Sequence, residues 1–165
     1  VFQVFSSDHA PFRYDDPQGK MVRGTDASFR YVPNGIPGIE TRMPLLFSEG
    51  VGKGHITLQQ FVALTATNPA RIYGLYPRKG SITIGADADL VIWDPDRAVT
   101  IDNADLHHNV DYTPYQGMKL TGWPRTTISR GEIVCDQGEL RTRKGHGQFL
   151  PCGRPDPVLP AKELN

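Results

Sequence analysis

The chain opens with an apolar run that shows no regular alternation of apolar and polar positions. Residues 1–5 are dense in β-branched and aromatic side chains, which is typical of a strand covered on both faces, as in a parallel barrel or sheet. The run leads directly into Ser-Ser-Asp-His at residues 6–9. We therefore predict a buried strand that ends in polar residues. Because the chain starts inside this run, we expect it to be part of a longer protein.

Residues 10–38 follow neither the helical nor the strand period. They contain prolines at 11, 17, 33 and 37, glycines at 19, 24, 35 and 38, and many charged residues. Loops longer than about 15 residues are uncommon in compact domains unless they carry a function or are disordered. Binding residues often lie on such loops. We therefore predict a long loop that covers an active site.

Helical spacing returns between residues 39 and 74. Apolar residues predict a helix over Thr41–Glu49 that ends at the following glycine, with Pro44 in its first turn. The segment Thr57–Gln60 matches a capping box, in which the side chain of the first residue and that of the fourth each accept from the other's backbone N–H. Asn68, which precedes a proline, predicts the capped start of another helix, and Gly74 predicts its end.

From residue 76 onward the pattern becomes extended and rich in turns. Strands are predicted at Ser81–Ile84, Ala88–Trp93, Ala98–Ile101, Thr126–Ser129 and Glu132–Cys135. The last two flank Arg130-Gly131, which is a hairpin signal, and Gln137-Gly138 predicts a further turn. Beyond Arg141 the chain is basic and then rich in glycine and proline. This composition predicts an irregular tail that frays or lies across a neighbour.

Composition and charge narrow the classes of partner. Hydrophobic residues make up 38% and charged residues 22% of the sequence, which is ordinary for a globular protein. Its 18 basic and 18 acidic residues give a formal net charge of +0, so charge indicates neither a nucleic-acid nor a membrane partner. No stretch approaches the roughly 18 apolar residues of a membrane span. Cys135 and Cys152 form no Cys-x-x-Cys pair, which predicts free thiols and a reducing, cytoplasmic location.

Asp8 and the histidines are the first candidates for chemistry. A carboxylate just beyond a barrel strand lies at the face where barrel active sites form, whereas spacing alone favours an Asp that caps a turn. His9 is placed either to orient Asp8 or to pack against its surroundings. The remaining histidines show no metal-ligand spacing, which favours solvent or interface positions: His55, His107, His108 and His146. Asn34 lies in Pro-Asn-Gly, a turn signature.

Several sequence blocks stand out along the chain. They are Ser7–His9, Pro33–Arg42, Thr67–Ala70, Tyr76–Gly80 and Ala86–Pro95, and with the tail from Gly145 to Gly153 they span nearly the whole chain. In this order they resemble the dihydropyrimidinase and D-hydantoinase family of cyclic amidohydrolases. The segment Lys79–Asp94 resembles amidohydrolases at large, whereas Asn34–Arg42 points to this branch.

The resemblance implies an α/β fold. It consists of the C-terminal end of a TIM-like metal-dependent hydrolase barrel, followed by part of a small β-sandwich and an irregular tail. Residues 1–75 would supply the last barrel strand, the active-site loop and the final barrel helices. Residues 76–140 would supply the sandwich portion, and residues 141–165 an arm that bridges the subunits of a homotetramer.

The resemblance also implies roles for two residues. The family residue that matches Asp8 binds a binuclear divalent metal centre, with zinc as the expected metal, and carries the catalytic proton. The family residue that matches Asn34 contacts the polar edge of the cyclic diamide, largely through its backbone. The implied reaction is the hydrolysis of dihydropyrimidines or hydantoins to N-carbamoyl amino acids. Small cyclic amides are therefore the expected substrates.

No segment of the sequence corresponds to the family's other metal ligands, which are a His-x-His pair, a carboxylated lysine and two further histidines. We therefore expect the isolated chain to be inactive and poorly stable. One alternative is a non-catalytic dihydropyrimidinase-related interaction protein, and another is an allantoinase or a dihydroorotase-like enzyme. Asn34 argues against the first, because those relatives generally carry another residue there. The Pro33–Arg42 block argues against the second.

Overall fold

A helical run and a small antiparallel sheet form the regular structure of residues 2–158, the part of the chain that the computed structural model describes. The helices are α1 (Arg42–Leu45), α2 (Leu58–Val62) and α3 (Asn68–Ile72), with π-helical turns at Leu46–Val51 and Ala63–Thr67 and 3-10 turns at Phe29–Tyr31 and Asn103–Asp105. The strands are β1 (Leu90–Thr100), β2 (Lys119–Ser129), β3 (Glu132–Asp136) and β4 (Glu139–Leu140). Within residues 2–158, no helix has the length and apolar content that a membrane crossing requires.

Helix α2 starts where the capping box predicts. Thr57 Oγ1 accepts from the Gln60 backbone N–H at 3.1 Å, and Gln60 Oε1 accepts from the Thr57 N–H at 2.9 Å, so the capping box is confirmed. The same helix buries Phe61, whose ring centroid lies 5.6 Å from that of Phe47 and 5.7 Å from that of Trp93. This aromatic cluster packs the helices against strand β1.

Asn68 does not cap a new helix, so that prediction is wrong. The backbone stays helical through Ala63–Thr67 into α3, and Asn68 itself has φ −66° and ψ −44°. A cap is needed only where a helix starts, and here the helical run continues. The buried Asn68 side chain instead donates through Nδ2 to the Gln3 carbonyl at 3.0 Å, which ties the N-terminal segment to the helix. The predicted end at Gly74 is confirmed by its φ of +64°.

The predicted N-terminal barrel strand is not paired within the described residues. Residues 2–8 belong to no ladder, and His9 forms an isolated parallel bridge. The segment is anchored to helical residues instead, since the Phe5 N–H donates to the Leu64 carbonyl at 3.1 Å and the Phe5 carbonyl accepts from the Arg42 guanidinium. A strand needs a neighbouring strand for its backbone groups, and residues 2–158 supply none here. The first residue of the chain lies outside the described part.

The four strands pair antiparallel in the order β1-β2-β3-β4. The predicted hairpin is confirmed, because Ser129 pairs with Glu132 across Arg130-Gly131, whose φ angles of +48° and +82° are those of a type I′ turn. The turn at Gln137-Gly138 is also confirmed, with φ angles of +51° and +90°. Within residues 2–158 this sheet is a single layer, and the expected sandwich stays a prediction.

Two other strand predictions differ from the structure. Ser81–Ile84 forms no strand, and Ile82 and Ile84 are exposed, because no neighbouring strand of the described residues pairs with them. The strands predicted on either side of Pro95 are one strand, β1, because β2 runs along its full length. The pairing is interrupted around the proline, which has no N–H to donate.

An ion-pair cluster joins the end of the helical region to the sheet. Lys79 Nζ lies 2.9 Å from Asp87 Oδ2 and also pairs with Asp89, whose second oxygen accepts from the Arg130 N–H at 2.8 Å. Partial burial opposes the charge on Lys79, but hydrogen bonds to Asp89 and Asp87 outweigh it and raise the pKa of Lys79. The sequence block around these residues therefore forms a structural joint.

Residues 141–158 of the tail form no helix or strand, as predicted, but part of this segment lies on its own chain. The Gly153 N–H donates to the Gly74 carbonyl at 3.0 Å, and the Asp156 N–H donates to the Arg71 carbonyl at 2.9 Å. These bonds dock the tail against the C-terminal end of α3. The Phe149 side chain is 92% exposed within the described residues. Residues 159–165 of the predicted arm lie outside the described part.

Candidate active site

Asp8 occupies an exposed position with an unusual backbone conformation. Its φ of +45° lies in the left-handed region, which non-glycine residues adopt rarely and Asp more readily than most. Such a conformation persists only where surrounding contacts hold it, and it is often found at functional sites. Because the side chain is exposed, its carboxylate is open to groups from outside the described residues.

The ring of His9 holds the residues that follow Pro-Asn-Gly. His9 Nδ1 accepts from the backbone N–H groups of Gly38 at 3.1 Å and Ile39 at 3.3 Å. A ring nitrogen that accepts cannot carry a proton, so the proton of His9 lies on Nε2. His9 also forms the parallel bridge with Ile36. It therefore orients the loop segment next to Asp8, a role that its sequence position alone did not distinguish from packing.

Gly35 allows the Pro-Asn-Gly segment to lie directly against the segment after Asp8. Its φ is +94°, and a Cβ added there would lie 2.1 Å from the Ala10 carbonyl oxygen, closer than any side chain tolerates. Glycine is therefore required at position 35, but residues 33–35 form no hydrogen-bonded turn or bend, so the turn predicted at Asn34 is not found; we call residues 33–35 the Asn34 segment. Asn34 itself is exposed. We call residues 8–10 and 33–39, held together by these contacts, the latch.

Lys20 contacts the Asn34 segment from the other side. Its Nζ donates to the carbonyl oxygens of Pro33 and Gly35, the two neighbours of Asn34. No sequence pattern singled out this lysine, because it lies in a loop without a period and its partners are remote in sequence. Sequence reasoning did not identify these contacts of Lys20.

The connection between β1 and β2 holds the loop from a third direction. Asp111 accepts from the backbone N–H groups of Tyr14 at 2.7 Å and Asp15 at 3.0 Å, and these bonds lower the pKa of the Asp111 carboxyl. Glu40 accepts from the His107 N–H at 2.7 Å and lies 2.8 Å from its ring Nδ1. Loop and sheet region are thus linked by carboxylates at two points.

A pocket of about 430 Å³ lies between the loop and this connection. Its lining includes His9, Arg13, Glu40, His107, His108 and Val110. Neither Asp8 nor Asn34 lines it. We therefore do not assign it to the substrate.

The described residues do not form a complete metal site. Within residues 2–158 no group of three or more His, Cys, Asp or Glu side chains is placed to hold a metal ion. Asp8 offers one oxygen ligand, of a type that divalent metals accept. Two histidines are held by protein groups: His107 by Glu40 and Gly138, and His108 Nε2 by Asn103 Oδ1 at 2.9 Å. A metal centre at Asp8 therefore needs ligands from outside these residues.

The comparisons with known proteins identify the family of the chain. Residues 1–134 match the sequence profile of the Amidohydrolase family. The chain therefore belongs to the amidohydrolase family, whose members are in general metal-dependent.

Within that family the chain is similar to D-hydantoinases and dihydropyrimidinases, as the sequence blocks predicted. The D-hydantoinase of Ralstonia pickettii is 41% identical over 150 residues, which cover 91% of this chain and 32% of the relative. The D-hydantoinase of Geobacillus stearothermophilus is 46% identical over 149 residues, covering 90% and 31%. The crystal structure of dihydropyrimidinase from Brevibacillus agri NCHU1002 matches with a TM-score of 0.85 and 41% identity, over 93% of this chain and 33% of that one. The chain spans about a third of the length of these relatives.

The link from Glu40 to His107 predicts a pH dependence of stability. His107 Nε2 lies 2.9 Å from the Gly138 carbonyl, so both ring nitrogens face acceptors, and only the protonated ring donates to both. The hydrogen bond to Glu40 outweighs partial burial and raises the pKa of His107. The resulting stabilisation is complete below the ordinary imidazole pKa of about 6.5 and is lost as pH rises through the raised pKa of the folded state.

Urea unfolding of the complete protein and its His107→Gln variant measures this effect. We expect the difference in unfolding free energy between them to shrink from about pH 6 to about pH 9. His55→Gln, a change at an exposed histidine, is the control and should show no such trend. An equal difference for His107→Gln at both pH values would show that the ring is not held as a cation.

Proposed function

We propose that this chain is the C-terminal part of a metal-dependent enzyme that hydrolyses cyclic amides, dihydropyrimidines or hydantoins, to N-carbamoyl amino acids. The observation that supports the proposal is the latch, which holds the segment after the exposed Asp8 against the segment that carries the exposed Asn34. The similarity to D-hydantoinases over nine-tenths of the chain supports the substrate class. Ligands and substrate contacts beyond these two residues come from the rest of the complete protein.

Asp8 is the proposed metal ligand and proton carrier. A pair of divalent metal ions, expected to be zinc, would when bound lower the pKa of a water molecule and polarise the substrate carbonyl. One carboxylate oxygen of Asp8 takes the proton that this water loses as its oxygen bonds to the carbonyl carbon. Asp8 then gives that proton to the ring nitrogen as the carbon–nitrogen bond breaks. The ring opens with the atoms of one water added, and Asp8 returns to its charged form.

The Asn34 segment is the proposed binding element for the polar edge of the ring. Asn34 is exposed and takes part in no hydrogen bond of the described residues, so its main-chain groups are available to a ligand. Substrate N–H and C=O groups can therefore pair with this residue without displacing a protein contact. The Asn34 segment binds and orients the ring, whereas Asp8 moves the proton.

The proposed fold is the end of a TIM-like barrel followed by part of a β-sandwich. Its support is an apolar opening of about 690 Å³ beside β1. The lining includes Met43, Phe47, Leu58, Phe61, Leu90 and Trp93. Burial of the apolar surface of this opening under further protein would stabilise the fold. We place the enzyme in the cytoplasm, because Cys135 and Cys152 are free thiols.

Replacement of Asp8 tests the catalytic proposal. In the complete protein, Asp8→Ala should lower turnover of a cyclic amide by several orders of magnitude, because both a metal ligand and the proton carrier are removed. Circular dichroism should be unchanged, since the side chain is exposed. Asp26→Ala, at an exposed position of the same loop, is the matched control and should keep its activity. Turnover of Asp8→Ala within about tenfold of wild type, with a full metal complement, would reject the assignment.

We further propose that the complete protein is a homotetramer and that the tail contributes to its assembly. Residues that precede the docked Gly153 carry the exposed Phe149. The backbone hydrogen bonds to Gly74 and Arg71 hold the tail at a fixed place, so the Phe149 side chain is held on the surface near that place. Burial of such a side chain in a neighbouring subunit contributes roughly 25 cal/mol for each Å² of apolar area.

Truncation tests the assembly proposal. Removal of the residues after Lys144 from the complete protein should lower its mass in sedimentation, its thermal midpoint, or both. Phe149→Ser should weaken assembly in the same direction while leaving the docked segment in place. Cys152→Ser, a change at an exposed neighbouring position, is the control. If the truncated protein keeps the tetramer mass and the thermal midpoint, the tail is not an assembly element.

A further inference from the structure

We propose that Lys20 is a positioning residue for the substrate. Its ammonium group holds the carbonyl oxygens of Pro33 and Gly35 and thereby fixes the path of residues 33–35, in which Asn34 is exposed. The proposal rests on the substrate-binding role proposed for Asn34. It assigns a role to a residue of the covering loop that neither the sequence motifs nor the metal chemistry requires.

The backbone of Lys20 is fixed by a turn built within the loop. The Lys20 N–H donates to the Arg13 carbonyl at 2.9 Å, and the Gly19 N–H donates to the Asp16 carbonyl at 2.7 Å. A Cβ added to Gly19 would lie 2.1 Å from the Arg13 carbonyl oxygen, so glycine is required for this close approach. Asp111 holds the same turn through two backbone N–H groups. The side chain of Lys20 therefore starts from a defined point.

The charge of Lys20 is satisfied by backbone carbonyls. Its ammonium group is partly buried, and among residues 2–158 no carboxylate lies within ion-pair distance of it. It lies 5.8 Å from the centre of the Phe12 ring. A partly buried cation must be compensated, and here the two carbonyl oxygens supply most of the compensation. The same attraction draws both carbonyls toward one point.

This arrangement leaves Asn34 free for a ligand. The residues on both sides of it are held by Lys20, and Gly35 is also packed against Ala10. Asn34 lies between these fixed points, is exposed, and takes part in no hydrogen bond of the described residues. A segment fixed at its ends and unpaired at its centre is preorganised for binding, because little conformational freedom is lost when a ligand pairs with it. Loss of the ammonium group should therefore weaken binding more than the chemical step.

Steady-state kinetics and hydrogen exchange of the complete protein test the proposal. Lys20→Met keeps the apolar stem but removes the donors, and it should raise KM for a cyclic amide roughly tenfold or more while kcat changes less than about threefold. Hydrogen exchange of residues 31–38 should become faster in this variant. Lys20→Arg, which retains donors, should restore most of both properties. Lys53→Met, at an exposed lysine paired with Glu49, is the control and should change neither.

The outcomes separate this proposal from the function on which it rests. If the wild-type protein hydrolyses no cyclic amide, the proposed function is wrong, and exchange of residues 31–38 alone decides whether Lys20 fixes the Asn34 segment. If Lys20→Met does not fold, Lys20→Gln is judged by the same two readouts. Unchanged KM in an active enzyme, or unchanged exchange at the Asn34 segment, would overturn the proposal. A fall in kcat with constant KM would also overturn it, because positioning of the bound ring would then not be the role.

Discussion

The candidate site depends on one contact above all, the acceptance of two backbone N–H groups by a single ring nitrogen of His9. The donors are Gly38 and Ile39, which follow the Asn34 segment, and the acceptor follows Asp8 directly. Two segments that are remote in sequence are thereby held side by side. This contact adds to the His9–Ile36 bridge and to the packing of Gly35 on Ala10, so less conformational freedom is lost when a ligand binds.

The rest of the loop is also held by individual contacts and not by helices or strands. Glycine at position 19 allows a close backbone approach, Asp111 caps two backbone N–H groups, and Glu40 binds His107. Each contact satisfies polar groups that a long loop would otherwise leave to water. Asp111 and His107 both lie in the connection between β1 and β2. The predicted barrel portion and the predicted sheet portion are therefore joined at the loop as well as at the Lys79 cluster.

Sequence reasoning succeeded where an element is determined by its own neighbours. The capping box at Thr57 and the turns at Arg130-Gly131 and Gln137-Gly138 use partners within a few positions. It failed where partners are remote. Asn68 was predicted to cap a helix because it precedes a proline, whereas its side chain bonds to Gln3, 65 positions away. The predicted N-terminal strand has no neighbouring strand within residues 2–158, so it stays a prediction.

The site was predictable only in part for the same reason. Asp8 and Asn34 were singled out through the resemblance, since spacing alone assigns both to turns, and their proposed roles stay predictions. Lys20 left no signal, because its ammonium group donates to carbonyl oxygens 13 and 15 positions away. Every residue has a backbone carbonyl, so a lysine that donates to carbonyl oxygens leaves no recognisable sequence motif. The amidohydrolase family itself was recognisable because its blocks include the structural joint as well as the loop.

The most direct test of the account is a crystal structure of the complete protein with its metal ions and a bound cyclic amide analogue. The account predicts that an Asp8 oxygen lies about 2.0–2.2 Å from a metal ion, while groups of the Asn34 segment lie within hydrogen-bond distance of the ring's polar edge. His9 should still accept from Gly38 and Ile39. A structure with Asp8 remote from the metal, or with the Asn34 segment on a surface that the ligand does not touch, would contradict the central claim.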